Sequence, residues 1–402
     1  MMKKTDTGSE PFGVAIGLGN NVDYELDCDM TVLQRLLDEN AVEAKDIHAY
    51  KEVNNEKEIL ASILYLMSQG SGSEIFIGST ELVMRFASNF SYKATMGGTG
   101  IRAALAMDKF GKRSCLHIVT INDEVRRELP KNCQVICSQT RDSLYPHLII
   151  QYKAGDTLKF RGSEITAASA NRIIYTNDPD NTLLPLNMDF GEMLKTARIF
   201  LLSGTNVITD EAVLEDRIDK ILILLDNMPP DSYVYVESGC YFKPEFQEYI
   251  MDRLHSRISI FSMNEEEMQL SLNRSIDLLD ADGVFAAMKE IRKNAGIPYI
   301  IVHTHLWAAI IGENAGKFIR NLTDAVTMAT TRYRFGDGVT PENFAETGTL
   351  PVAENVSSFI KEITDIGQGN ICCVPVPTVS EENVTTIGLG DSFAGGFMFD
   401  FA

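Results

Sequence analysis

The sequence predicts an α/β fold, with a doubly wound, largely parallel sheet in one large domain and a smaller α+β lid. Three observations lead there. Short β-branched or apolar runs alternate with helical patterns along most of the 402 residues. Two internal segments break that alternation, and the second of them reads as an antiparallel pair of strands. Glycine-rich turns follow the first strand candidate and open the last helix, which is where a parallel sheet gathers its ligands.

The strand candidates of the large domain are Val14–Ile16, His117–Thr120, Ile199–Leu202, Tyr233–Glu237, Ser259–Ser262 and Tyr299–Thr304. Amphipathic stretches lie between them, over Asp210–Asn227, Lys243–Arg257 and Asp280–Ala295. That alternation predicts βαβ units with right-handed crossovers. The large domain is expected to comprise residues 1–23, 94–140 and 182–402, and the lid residues 24–93 and 141–181. Within the lid, His147–Lys153 and Arg172–Thr176 are expected to form an antiparallel hairpin through the Lys153-Ala154-Gly155-Asp156 turn, with one face toward water.

Composition narrows the function. With 36 basic and 56 acidic residues the net charge is −20, which argues against a nucleic-acid partner, since phosphate contacts need clustered cations. The N-terminal MMKKTDTGSE lacks the apolar core of a secretory signal. The longest nearly apolar run, Tyr299–Gly312, is too short to span a bilayer. A cytoplasmic protein without a membrane partner is expected, binding small molecules, with its oligomeric state undetermined. Seven scattered cysteines form no CxxC pair and indicate neither a disulfide framework nor a zinc site. The adjacent Cys372 and Cys373 of a strand-like run should point to opposite faces.

The sharpest local signal runs from Thr385 to Gly396, TTIGLGDSFAGG. A β-branched run leads into a Gly-x-Gly turn and then an apolar helix. Glycines let the backbone turn without Cβ obstruction, and the helix start adds unpaired N–H groups and a positive dipole end. Such a turn suits an anion. Asp391, next in line, reads either as a helix cap or as a base beside a transferring phosphate.

Gly388-Leu389-Gly390-Asp391 resembles the GxGD signature of the ribokinase-like sugar kinases. The resemblance implies that Asp391 is the catalytic base and that the amides of Gly388, Leu389 and Gly390 form the anion hole. Eleven residues follow Asp391, whereas ordinary ribokinases continue through further helices. Ending there resembles the ADP-dependent glucokinase and phosphofructokinase branch, and the length and interrupted lid fit that branch too. Gly19-Asn20-Asn21-Val22-Asp23 resembles the family's N-x-N-I-D, implying sugar contacts by Asn21 and Asp23, with Gly19 in place of the first Asn. Met96-Gly97-Gly98-Thr99-Gly100 opens a small-residue helix and resembles the family's GGxAG segment, implying sugar contacts at Gly97, Gly98 and Thr99. Asn264-Glu265-Glu266-Glu267 resembles N-x-x-E, implying that Glu267 orders waters on magnesium, with Glu237 as a second carboxylate. Read from the residues alone, that run is also a solvated first helical turn. His303-Thr304 resembles the strand lining the adenosine pocket, so Asn264, His303, Thr304 and Thr386 are expected at the nucleotide. Ala170–Ile174 resembles A-N-R-F-I, where Arg172 either clasps a sugar phosphate or serves structure, and Glu74 falls near where this branch tunes sugar choice.

The implied activity is phosphoryl transfer from magnesium-bound ADP to a hydroxyl of a hexose or hexose phosphate, fructose 6-phosphate or glucose. An ATP-dependent sugar or nucleoside kinase and a catalytically silent sugar- or nucleotide-binding relative are the alternatives. A dinucleotide oxidoreductase is disfavoured because Val22 stands where the third glycine of that fingerprint belongs. Gly312–Phe318 imitates a P-loop but fails both its spacing and its metal-binding hydroxyl.

Overall fold

The computed structural model describes residues 11–402 apart from 27, 240, 242 and 381–383. Nine strands form the main sheet, in the spatial order Ile371–Pro375, Trp307–Ile311, Tyr299–His303, Ile260–Asn264, Tyr233–Glu237, Ile199–Leu202, Val14–Gly17, Ser114–Ile118 and Cys133–Cys137. Seven of them, from Tyr299–His303 to Cys133–Cys137, run parallel. Trp307–Ile311 turns back antiparallel, and Ile371–Pro375 pairs antiparallel with it.

The parallel strands are nearly continuous apolar runs because helices cover both faces. Ile16, Leu201, Tyr235 and Ile301 pack toward the helices Thr99–Asp108, Ile319–Phe335 and Leu389–Phe397. Phe200, Val234, Phe261 and Val302 pack the other way, under Glu211–Leu225, Pro244–Leu254 and Ala281–Ala295. Cys372 and Cys373 bury on opposite faces, as their adjacency requires. Among the described residues Cys115, Cys133, Cys137, Cys372 and Cys373 form no disulfide.

From Val14–Gly17 the chain builds the sheet outward in both directions, so strand order reverses at this strand. The crevice that opens there lies at the carboxyl ends of the strands. It is closed by a second, six-stranded sheet, in the order Glu52–Val53, Ser73–Ile77, Asn171–Thr176, His147–Tyr152, Asn21–Leu26 and Tyr92–Gly97. Asn21–Leu26 and Tyr92–Gly97 pair along their whole lengths in this small sheet, so boundaries drawn at 23 and 93 cut through strands.

The expected tight hairpin takes another form. His147–Tyr152 and Asn171–Thr176 do pair antiparallel. Between them the chain makes a separate hairpin, Thr157–Phe160 with Ser163–Thr166, so the Lys153–Asp156 turn leads into this insert. Nor does the sheet's second face look out to bulk water, because Ile149 and Ile174 floor the crevice.

Candidate active site

The last helix sets the geometry. Gly388 caps it with φ 69° and ψ 27°, a left-handed conformation that costs other residues energy. Leu389, Gly390 and Asp391 form its first turn, and their N–H groups are among those a helix leaves without internal partners. Arg332 Nε donates to the Ile387 carbonyl at 2.7 Å and Nη1 pairs with Asp337 at 2.9 Å, fixing the turn from outside.

A second glycine turn faces the first. Gly98, at φ 98°, caps the helix Thr99–Asp108. A Cβ on the preceding Gly97 would stand 2.2 Å from Asn21 Nδ2 and 2.5 Å from Asp23 Oδ2, so only glycine lets Tyr92–Gly97 pair here with Asn21–Leu26. Asn20 is fully buried and its Oδ1 accepts from the N–H groups of Val119 and Thr120, each at 2.9 Å. That anchor ties the loop after Val14–Gly17 to the neighbouring strand and turns Asn21 and Asp23 into the crevice.

These turns enclose a cavity of about 220 Å³. Asn21, Asp23, Gly98, Thr99, Arg172, Gly388 and Asp391 line it, so most residues expected at the acceptor and the reacting centre come together. Glu74 shares the wall, in register with Ile174. Gly97 supports the cavity from behind Asn21 and Asp23, while Leu389 and Gly390 sit in the adjoining helix turn.

The cavity is dense in paired charge. Asn21 Nδ2 donates to Asp23 Oδ1 at 2.5 Å and lies 3.1 Å from His147 Nδ1. His147 Nε2 stands 3.3 Å from Asp178 Oδ2. Burial alone would lower the imidazole pKa, but Asp178, Asp23 and Glu74 outweigh it and raise it. Burial raises Glu74, against the opposing pull of His147 and Arg172. For Asp391 burial again pushes the pKa up, while Arg102 and Thr99 pull it down.

A second cluster stands behind Gly390, at the ends of three neighbouring strands. Glu237 Oε2 accepts from the Tyr235 hydroxyl at 3.0 Å and Oε1 lies 2.9 Å from His303 Nε2. His303 also rests on the Phe393 ring, with centroids 4.8 Å apart. Asn264 and Glu267 form a capping box: Glu267 N–H donates to Asn264 Oδ1 at 2.9 Å, and Asn264 N–H to Glu267 Oε2 at 3.0 Å. Burial raises the Glu267 pKa and nearby Glu237 adds to the rise, with the Asn264 amide opposing. Thr304 is spent on a turn, its hydroxyl accepting from the N–H groups of Leu306 and Trp307 at 3.0 and 2.9 Å. Thr386 is exposed beside the Gly388 turn.

Sequence reasoning missed Arg102, His147, Asp178 and Asn181. Arg102 had a readable signal, since it is the lone cation in the helix TGIRAALAMD. Asn181 and Asp178 had none, because their partners are remote in sequence: the Asn20 carbonyl accepts from Asn181 Nδ2 at 2.8 Å, and Asp178 Oδ2 faces His147 Nε2 at 3.3 Å.

Among the described residues, no helix is long and apolar enough to cross a membrane. The family model described as the ADP-specific phosphofructokinase/glucokinase conserved region matches residues 12–399. An ADP-dependent glucose/glucosamine kinase of Pyrococcus furiosus is 24% identical, with 96% of this chain and 94% of that protein covered. A phosphofructokinase from Pyrococcus horikoshii OT3, solved with AMP, superposes with TM-score 0.75 at 15% identity, covering 98% of each chain. An ADP-dependent kinase in complex with fructose 6-phosphate and ADPβS gives TM-score 0.73 at 15% identity, covering 97% of this chain and 93% of that one. The shared architecture is the ribokinase-like fold.

Proposed function

The chain belongs to the ADP-specific phosphofructokinase/glucokinase family, and on that premise we propose that it transfers the β-phosphoryl group of ADP to a hexose or hexose-phosphate hydroxyl, with Asp391 as base. The observation that carries this reading is the single cavity shared by Asp391, Gly388 and the acceptor-side residues Asn21 and Asp23. Asp391 takes the hydroxyl proton as the acceptor oxygen attacks. The first-turn amides of the last helix meet the charge on the moving phosphoryl group, and AMP leaves. Such catalysis consists mostly of positioning and electrostatic stabilisation. Closure by the small sheet keeps out water, the competing acceptor. Asn264, His303, Thr304 and Thr386 fall to the nucleotide side.

The family implies magnesium, and the second cluster suits it. Glu237 and Glu267 offer hard oxygen donors, and burial, with Glu237 adding to it, raises the Glu267 pKa, so a cation bound there would favour its carboxylate form. Among the described residues no group of three His, Cys, Asp or Glu side chains could hold a metal. Two carboxylates acting through water fit magnesium, which keeps most of its hydration. When bound it neutralises the donor phosphates.

For the acceptor we favour a phosphorylated hexose such as fructose 6-phosphate. The exposed guanidinium of Arg172 on the cavity wall supports this, since its planar fork suits a phosphate dianion. Glu74 supports a second reading, a neutral sugar such as glucose, because a carboxylate in the same cavity accepts from hydroxyls and repels phosphate. The test compares kcat/KM for ADP and ATP on both sugars, in the parent and in Arg172→Ala. Preference for ADP and a KM loss confined to the sugar phosphate support the first reading. Preference for ATP refutes the donor, and equal losses on both sugars remove the clasp.

A further inference from the structure

We propose that Arg102 is a further catalytic residue, whose Nη1 edge, held beside the Gly388 turn, receives the phosphoryl group as it passes to the acceptor. This rests on the reading of that turn as the phosphoryl site.

Arg102 lies on a helix otherwise built of small and apolar residues up to its terminal Asp108, and its side chain is only 9% exposed. A charge so buried is costly without partners. Those it has sit to one side. Nη2 donates to Asp23 Oδ2 at 2.8 Å and lies 3.4 Å from Glu25 Oε1. Both contacts run through one nitrogen, which anchors one edge of the plane and directs the rest. Nε comes to 3.9 Å from Asp391 Oδ2. A Cβ built on Gly388 would stand 2.9 Å from Nη1, so the guanidinium walls the space beside the glycine turn. Arg102 also lines the cavity that Asp391 and Gly388 line. Burial acts to lower its pKa, but Asp23, Asp391 and Glu25 outweigh it and keep the group cationic.

Arg332 makes the contrast. Its Nε would be 3.1 Å from the same Cβ, yet that nitrogen already serves the Ile387 carbonyl and Nη1 serves Asp337. Arg332 holds the turn, whereas Arg102 offers the turn a donor.

In the transfer, a bond forms between the acceptor oxygen and the β-phosphorus. The bond from that phosphorus to the oxygen bridging the α-phosphate breaks, and AMP carries away its electron pair. The acceptor proton goes to Asp391. Charge in the transition state spreads over the three equatorial phosphoryl oxygens. The helix amides can reach them from one side only. Arg102, with Nη1 beside the glycine turn and Nε near the base, adds a fixed cationic donor to those amides.

The test is steady-state kinetics with ADP and the better of glucose and fructose 6-phosphate, from pH 5.5 to 9, on the parent, Arg102→Gln and Arg102→Lys. Arg102→Gln should lose about 10²–10³-fold in kcat at every pH, the usual effect of removing one transition-state donor, with both KM values within a few-fold of the parent. Three results would overturn the proposal: kcat above half the parent's, a loss confined to KM, or a loss that disappears at high pH. The last would mean that Arg102 acts by ionising Asp391. Should Arg102→Gln fail to fold, Arg102→Lys decides, because it keeps the charge but withdraws the planar edge. A kcat loss of about tenfold or more is then expected, and parental kcat would refute the assignment. A parent that forms no AMP from ADP with any sugar refutes the functional reading itself, whatever Arg102 does.

Discussion

Replacing Gly388 by alanine probes the reacting centre at its tightest point. The residue sits at φ 69°, which costs a residue with a Cβ about 1–2 kcal/mol. The new methyl would also stand 2.9 Å from Arg102 Nη1 and 3.1 Å from Arg332 Nε. Neither guanidinium can retreat freely. Arg102 is held by Asp23 at 2.8 Å, and Arg332 by the Ile387 carbonyl at 2.7 Å and Asp337 at 2.9 Å. The turn itself must therefore shift, taking the first-turn amides with it. We expect a stability loss of about 1–2 kcal/mol and a kcat loss of about 10²–10³-fold, comparable to losing an oxyanion donor. Thermal unfolding reads the first quantity, and initial rates of AMP formation at saturating ADP and sugar read the second. A variant within twofold of the parent kcat would show that phosphoryl transfer does not depend on this turn.

Glu267→Gln keeps the capping box, since glutamine at that helix position reaches back to the Asn264 amide as glutamate does. Its melting temperature should match the parent while the magnesium concentration for half-maximal rate rises, and an unchanged magnesium dependence would make Glu267 a cap alone. His117 tests pH linkage away from the site. Its Nδ1 is 2.8 Å from the Leu18 carbonyl and its Nε2 accepts from the Asn187 amide at 3.0 Å, so the neutral ring is the one that fits. Burial lowers its pKa to about 4, against about 6.5 in the unfolded chain. A folded pKa below the unfolded one means stability present above pH ~6.5 and lost as pH falls toward 4, here about 3 kcal/mol. Urea unfolding at pH 7 and pH 4.5 should show a smaller acid loss for His117→Gln than for the parent, and equal losses would exclude His117 as the cause.

What could be read from the sequence was local. The Gly388–Asp391 turn declares itself because its glycines and helix start are contiguous, and the buried parallel strands because each is a short apolar run. Long-range pairing was hidden. Trp307–Ile311 merges with Tyr299–His303 into one apolar stretch, and only the Thr304 turn, which returns the chain antiparallel, separates them. The two lid strands pair antiparallel as expected, but the Lys153–Asp156 turn serves the inserted pair Thr157–Phe160 and Ser163–Thr166 rather than joining them. His303 also has a partner that the sequence did not reveal, since its ring pairs with Glu237, 66 positions earlier. No periodicity encodes that contact, which arises because the two parallel strands end at the same edge of the sheet with only Ile260–Asn264 between them. Arg102 lay open to notice as a lone cation on an apolar helix, but its partners Asp23 and Asp391 come from opposite ends of the chain.

The central claim is that Asp391 accepts the proton of a sugar hydroxyl while ADP supplies the phosphoryl group. The most direct measurement is kcat for AMP formation from ADP and sugar by Asp391→Asn, beside its ADP affinity by calorimetry. The substitution is isosteric and removes the proton acceptor, so ADP affinity should stay within a few-fold of the parent while kcat falls by about 10²–10⁴-fold. Turnover above half the parental rate, with the chemical step shown to limit it, would contradict the assignment of Asp391 as the base.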